Sequence, residues 1–214
     1  MSFMEIKNNL EKRTLYAGEF HSMVECVQQA VSDNTNLAGA DLSFCDLSNA
    51  NLDGALMPGA ILRGANLTGA NLSEAVLTGC DLTNALLCNA CLCESDLSLS
   101  RFEGALFGAT QIAEATLSGS VFSTLSAWEL DFVNAREIHD CRFLQTDGSI
   151  IPFSSPPVVI RGLLHTPVII LGNTVKIGPF ITPSSQILQI VLQTVRQCLE
   201  AEKHKNNSEF FCLS

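Results

Sequence analysis

The sequence predicts an all-β solenoid, and three observations predict it. Stepping by five from Leu37 to Phe132 gives 20 positions, of which 19 are Leu, Met, Ile or Phe, with Ala127 the exception. Two residues before each of these, 18 of the 20 positions hold Ala, Cys, Ser or Thr. Glycine recurs two residues after them, at Gly39, Gly54, Gly59, Gly64, Gly69, Gly79, Gly104 and Gly119. A period of five fits neither a helix at 3.6 nor a continuous strand at 2. It suits a short extended piece that turns a corner every five residues.

Each part of the unit has a physical reason. The small residue and the Leu are two apart on an extended chain, so both point inward. The residue between them points out and is often Asn or Asp, as in Ala65-Asn66-Leu67-Thr68-Gly69. The fifth position is where a corner most needs positive φ, which Gly adopts without steric cost. A closed coil then stacks Leu on Leu and Ala on Ala. No single unit buries its apolar face alone, so the stability is that of a repeat array.

These residues resemble pentapeptide-repeat proteins, whose motif is Ala-(Asp/Asn)-Leu-x-x. The resemblance covers residues 35–134 and implies a right-handed quadrilateral β-helix with four pentapeptides per coil. About five coils would rise about 4.8 Å each at strand spacing, within a repeat domain spanning 35–144. After Ser120 the pattern weakens. Leu125 and Leu130 occupy small-residue positions, and Ile138 and Phe143 sit one step out of register, so an irregular last coil is expected.

An open solenoid needs caps. In the N-terminal segment, 1–34, Ser22-Met23-Val24-Glu25 reads as a capping box. Val24, Val27 and Val31 follow on one helical face with Cys26 and Ala30 flanking, which predicts a helix over the first coil. In the C-terminal segment, 145–214, Pro152, Pro156 and Pro157 mark a connection. Val158–Leu164, Val168–Leu171 and Thr174–Ile177 read as short strands, with Gly172-Asn173 as a hairpin turn. Beyond Pro183, Ser184 or Ser185 caps a helix carrying Ile187, Leu188, Ile190, Val191, Leu192, Val195, Cys198 and Leu199, and 203–214 form a tail. This segment is expected to be a cap or an oligomerisation unit that makes a homodimer. Its strand-rich part, Ile160-Arg161-Gly162-Leu163 and Pro167-Val168-Ile169-Ile170, is similar to the tails of some prophage-encoded pentapeptide-repeat proteins.

Composition narrows the function. With 12 basic against 22 acidic residues, net charge −10, no basic stripe exists to neutralise a phosphate backbone, and direct nucleic-acid binding is not expected. Nine cysteines at irregular spacing are no disulfide framework and fit a reducing compartment. The stretch from Met1 to Lys7 lacks the apolar run of a signal peptide. The most apolar region, Val158 to Leu171, is broken by Arg161, His165 and Pro167 and is too short to span a bilayer. The expected location is the cytoplasm, with secretion as an effector left open.

Catalytic chemistry is not in evidence. There is no Gly-rich phosphate loop, Gly-x-Ser-x-Gly or His-Glu-x-x-His. His139-Asp140 is adjacent in sequence, but a triad needs spatial geometry. No enzyme, catalytic residue or cofactor is expected. Cys88, Cys91 and Cys93 superficially resemble a metal cluster. In the repeat register, however, Cys88 and Cys93 follow core leucines on adjacent walls, about a right angle apart, which defeats tetrahedral closure. No metal site is expected, and Cys45 and Cys80 replace the small inward Ala as little hydrophobes.

Outward residues carry the candidate site. Residues 35–134 hold 11 acidic and 2 basic side chains, 11 − 2 = 9 net negative charges. At 20 residues per coil, Glu74, Glu94 and Glu114 share one column at about 4.8 Å separations, a candidate surface for a basic protein partner. Leu56 with Val76, and Leu86 with Leu106 on the opposite wall, form a candidate exposed apolar patch, with Phe44, Leu99 and Trp128 also facing out. The expected function is a non-catalytic protein-binding scaffold presenting an acidic wall. The resemblance implies a narrower alternative. Relatives linked to quinolone resistance and topoisomerase-poison immunity mimic DNA in the DNA site of gyrase, a type II topoisomerase. Here 13 of the 20 centres are Leu where those proteins are richer in Phe, and no loop interrupts 37–132. A secreted effector or prophage accessory protein acting on a host target is the third reading.

Overall fold

A computed structural model describes residues 1–160, 167–171, 174–177 and 180–183. The chain divides into two compact units, Met1–Pro157 and Val158–Ser214.

The first unit is generated by one local turn. The N–H of Ala40 donates to Leu37 O at 3.0 Å, that of Ala50 to Leu47 O at 3.1 Å and that of Ala65 to Leu62 O at 3.0 Å. The residue before each donor has positive φ, and this holds at every fifth position from Asn34 to Gly119, with φ from 52° to 75°. Such a bond with positive φ at the third residue defines a type II turn, which favours Pro and then Gly at its centre, as at Pro58-Gly59. Asn34, Asn49, Asn84 and Asn89 tolerate this conformation. Phe44, Glu74, Glu94, Leu99, Ala109 and Glu114 adopt it against their preference, at a cost of about 1–2 kcal/mol each.

The frequent Asn or Asp before the central Leu secures the same corner. Asp41, Asp46, Asn66, Asn71, Asp81 and Asp96 each accept the N–H two residues on, at 3.0–3.3 Å. A donor that the turn leaves unpaired is thereby satisfied locally.

Coils join through parallel bridges 20 residues apart, which sort the repeats into four walls. In chain order these run through Asp41–Ile61–Asp81–Arg101, Asp46–Asn66–Leu86–Leu106, Asn51–Asn71–Cys91–Gln111 and Leu56–Val76–Asp96–Thr116. Every centre from Leu37 to Phe122 is buried. Where Ser or Thr replaces the inward Ala, its hydroxyl bonds a carbonyl of the preceding coil: Ser100 to Leu77 O at 2.8 Å, Ser120 to Leu97 O at 2.7 Å. Cys80 does the same to Met57 O at 3.0 Å, and burial pushes its thiol up to about 12. Cys45, expected inside with it, is only half-buried.

The ends depart from expectation. Ahead of the helix lies an unpredicted antiparallel hairpin, β1 (Ser2–Lys7) and β2 (Thr14–Phe20). It is hydrogen-bonded to the first coil, Asp41 N–H to Lys7 O and Asn9 N–H to Gly39 O, both at 2.8 Å. Helix α1 (Met23–Ser32) begins at Ser22, whose hydroxyl accepts Glu25 N–H at 3.2 Å. The Glu25 carboxylate takes the His21 N–H at 2.7 Å, one residue earlier than in a capping box. Its buried residues are Cys26, Val27 and Ala30, while Val24 and Val31 are half-buried, so the apolar face is rotated from the expected one.

At the other end β3 (Arg101–Phe102), β4 (Val121–Phe122) and β5 (Cys141–Leu144) are parallel, and β6 (Ile150–Phe153) runs antiparallel to β5. Short 3-10 helices at Leu125–Glu129 and Phe132–Asn134 interrupt the coil. Glu114 N–H still bonds Asn134 O, yet Thr116 pairs with Glu137, so one extra residue enters between them. The register resumes one step late, which returns Ile138 and Phe143 to the core. Trp128, expected outside, is buried with its ring 4.4 Å from that of Phe143. Residues 145–157, expected with the C-terminal segment, stay with the coils because β6 extends their sheet.

The second unit holds an antiparallel sheet of β7 (Val158–Ile160), β8 (Val168–Leu171), β9 (Thr174–Ile177) and β10 (Phe180–Pro183), paired in sequence order. β10 was not predicted. The Gly172-Asn173 turn, the 161–164 part of the first strand, the helix after Pro183 and the 203–214 tail lie outside the described residues.

Candidate functional site

The wall sorting decides what the outward residues form. On the third wall, pentapeptides 50–54, 70–74, 90–94 and 110–114 carry Asp53, Glu74, Glu94 and Glu114 and no Lys or Arg. Both repeat arginines lie on the first wall and are paired there, Arg63 with Asp81 at 2.8 Å and Arg101 with Glu103 at 3.0 Å. The negative charge of the third wall is therefore not balanced within the repeats.

Glu74, Glu94 and Glu114 occupy one column as expected. Their N–H groups donate to Cys93 O, Ala113 O and Asn134 O, each into the next coil. All three are exposed and sit at the positive-φ corner, with φ 56°, 60° and 57°. The last is tied to the slipped coil, where Arg136 Nε lies 3.5 Å from a Glu114 carboxylate oxygen. Among the described residues Glu74 and Glu94 have no such ion pair. Asn71 Nδ2 donates to Asn51 Oδ1 at 3.3 Å, a rung that stiffens the same wall.

Among the described residues no group of three or more His, Cys, Asp or Glu is placed to hold a metal. Cys88 lies on the second wall, while Cys91 and Cys93 share the third. No helix among the described residues is long and apolar enough to cross a membrane.

The family model for pentapeptide repeats matches residues 35–73 and 70–108, in 8 copies. Residues 35–108 are a pentapeptide-repeat domain. The family's fold is the right-handed quadrilateral β-helix, in line with the four walls described above. Among solved structures, the chain is similar to a pentapeptide repeat protein from the Arabidopsis thaliana thylakoid lumen, at 33% identity over 38% of this chain and 63% of that one, TM-score 0.32. It is similar also to a pentapeptide repeat protein from Nostoc PCC 7120, at 27% identity over 48% of this chain and 82% of that one, TM-score 0.34. A third is QnrB1, a plasmid-mediated fluoroquinolone resistance protein, at 25% identity over 48% of this chain and 47% of that one, TM-score 0.30. The chain thus spans less than two thirds of the first and about half of the third. No curated protein matches it.

The apolar residues of the pentapeptide-repeat domain do not make one patch. Leu56 bridges Val76 on the fourth wall and Leu86 bridges Leu106 on the second, with the core between them. Leu56, Leu86 and Leu106 are 41%, 38% and 47% exposed and Val76 is half-buried, so each pair is a small separate strip. Phe44 and Leu99 do face out, at corner positions.

One feature of the domain's C-terminal end was not foreseen. A pocket of about 340 Å³ is lined by Arg101, Glu103, Val121, Arg142 and the apolar Leu99, Leu144 and Ile150. Arg101, Val121 and Arg142 stack on the first wall through β3, β4 and β5. Counting by five hides this stack, because Arg142 is 21 residues after Val121. The misplacement of Ile138 and Phe143 in the repeat is the signal that could have revealed it.

Proposed function

We propose that this pentapeptide-repeat protein is a non-catalytic scaffold whose third wall binds a protein partner with a basic surface. One observation carries the reading. Glutamate stands at three successive corners of a wall without cations, in a backbone conformation that Gly or Asn adopts more cheaply. Strained positions that persist direct attention to function. An unbalanced row of carboxylates attracts basic surfaces and speeds their encounter.

The test compares the wild-type chain with variants in which Glu74, Glu94 and Glu114 all become Gln or all become Lys. Capture of a host-cell protein by the wild type, weakened by Gln, abolished by Lys and reduced by added salt, supports the reading. Equal capture by all three baits, with circular dichroism unchanged, overturns it. DNA mimicry towards a type II topoisomerase is the narrower form of the same proposal, and enrichment of topoisomerase subunits by the wild type alone selects it. Self-association through the C-terminal unit belongs to the proposal as well, and light scattering of the full chain decides it.

A further inference from the structure

The third wall also carries two thiols that the acidic reading does not use. Cys91 occupies the outward position before a core Leu, where six other repeats place an Asn or Asp that accepts the N–H two residues on. In Cys91 the sulfur takes over that role. The N–H of Cys93 donates to Cys91 Sγ, and the two thiols are themselves hydrogen-bonded. Ser73 Oγ, one coil earlier, stands 3.1 Å from Cys91 Sγ. Both sulfurs approach the same atom of the next coil, Gln111 Oε1, at 4.0 Å from Cys91 and 3.9 Å from Cys93. Both are half-buried, with Leu92 between them buried in the core.

This arrangement separates the pair from the other inward thiols. Cys80 and Cys141 are buried, and burial pushes them up to about 12 and about 11. At Cys91 burial also raises the thiol, but the Ser73 hydroxyl, the Cys93 N–H and the Cys93 thiol outweigh it and hold Cys91 below the ordinary range. Cys93 is shifted the other way, by burial and by its bond to Cys91. One thiol is thus set to be the nucleophile and the other to remain protonated beside it.

We propose that Cys91 and Cys93 are a peroxide-sensitive dithiol site, with Cys91 the attacking and Cys93 the resolving sulfur. The Cys91 thiolate attacks one oxygen of hydrogen peroxide; the O–O bond breaks, hydroxide leaves and a sulfenic acid forms on Cys91. Cys93 sulfur then attacks Cys91 sulfur, the S–O bond breaks and water leaves, with the Cys93 proton neutralising the hydroxide of the first step. Two thiols and one peroxide become one disulfide and two waters, a two-electron oxidation of the pair. Residues two apart on an extended strand have Cα atoms about 6.6–6.8 Å apart, at the upper edge of what a disulfide spans. The ring closes without unravelling the wall and is readily reopened by a small dithiol.

The test uses the full reduced chain and hydrogen peroxide at a few-fold molar excess, with peptide mass analysis after alkylation of the remaining thiols. The wild type should lose 2 Da in the peptide holding Cys91 and Cys93, reversibly with dithiothreitol, and Cys91 should alkylate several-fold faster than Cys88 at neutral pH. Cys93→Ser should stop at a Cys91 sulfenic acid that dimedone traps. Ser73→Ala should slow closure several-fold. Cys91→Asn, which restores the repeat's usual corner residue and so preserves the fold, should leave Cys93 no more reactive than Cys88. Equal alkylation of Cys88 and Cys91, or peroxide oxidation without the linked pair, overturns the proposal. So does a Cys91→Asn chain in which Cys93 oxidises as fast as before. None of these readouts depends on what the acidic wall binds.

Discussion

The ring of Phe44 lies across Gly64, one coil further along the same corner, so that a Cβ built on Gly64 would stand 2.6 Å from it. Asn84 covers Gly104 and Leu99 covers Gly119 in the same way. A large side chain at one corner leans over the next, and glycine there serves both φ and space. Gly79, with φ 70° and nothing within 4 Å, needs glycine for φ alone. Gly79→Ala should therefore cost about 1–2 kcal/mol, and Gly64→Ala more. In a Phe44→Ala background the two glycine replacements should cost the same. A double-mutant cycle read by urea unfolding measures the coupling; none between Phe44 and Gly64 would refute the contact.

Asn71 Oδ1 accepts both Ser73 N–H at 3.1 Å and Ser73 Oγ–H at 2.7 Å. Replacing it with Ala leaves the turn N–H without a protein partner and breaks the rung to Asn51. A loss of about 1 kcal/mol is expected. Thermal unfolding with the midpoint unchanged would show that water substitutes for the side chain.

Asp96 gives the fold an acid-sensitive element. Burial raises its carboxyl, but the Ser98 hydroxyl and N–H and the Thr78 hydroxyl hold it below its usual value of 3.8. A folded pKa below the unfolded one means that this stabilisation is present above about pH 4 and is lost as pH falls through the folded value. Asp96→Asn keeps an acceptor for Ser98 N–H but no charge. It should be less stable than wild type at pH 7, and the gap should close towards pH 2. A gap that is constant with pH in chemical unfolding would contradict the account.

Phe122 is the hub of the C-terminal aromatic core, stacked on Phe102 at 5.1 Å and edge-on to Phe132 at 5.7 Å. Phe122→Ala should destabilise by about 3–5 kcal/mol. Phe44→Ala, at a ring 76% exposed, should fall well short of that. Calorimetry on both separates core from surface aromatics; similar losses would mean that Phe44 is covered in solution.

The repeat was legible because everything it requires is local. Alternation sends Ala65 and Leu67 inward, the turn after Leu67 closes within four residues, and Asn66 caps it from its own repeat. Periodicity also placed Glu74, Glu94 and Glu114 in one column, since 20 residues return the chain to the same corner. It could not show that Arg63 and Arg101 are occupied on the first wall, leaving the third without a counter-charge.

What the sequence by itself determined is the inside and outside of the coil, because a five-residue period has one way to turn and bury its Leu. Tertiary structure alone decided the ends. The β1–β2 hairpin is ordered against the open edge of the first coil, through Lys7 O and Asp41 N–H, a partner more than thirty residues away. The extra residue before Glu137, the burial of Trp128 against Phe143 and the stacking of Arg142 beyond Val121 all follow from how the last coil closes its core. Local turn geometry repeats itself, but an end is made once, by whatever chain can cover it.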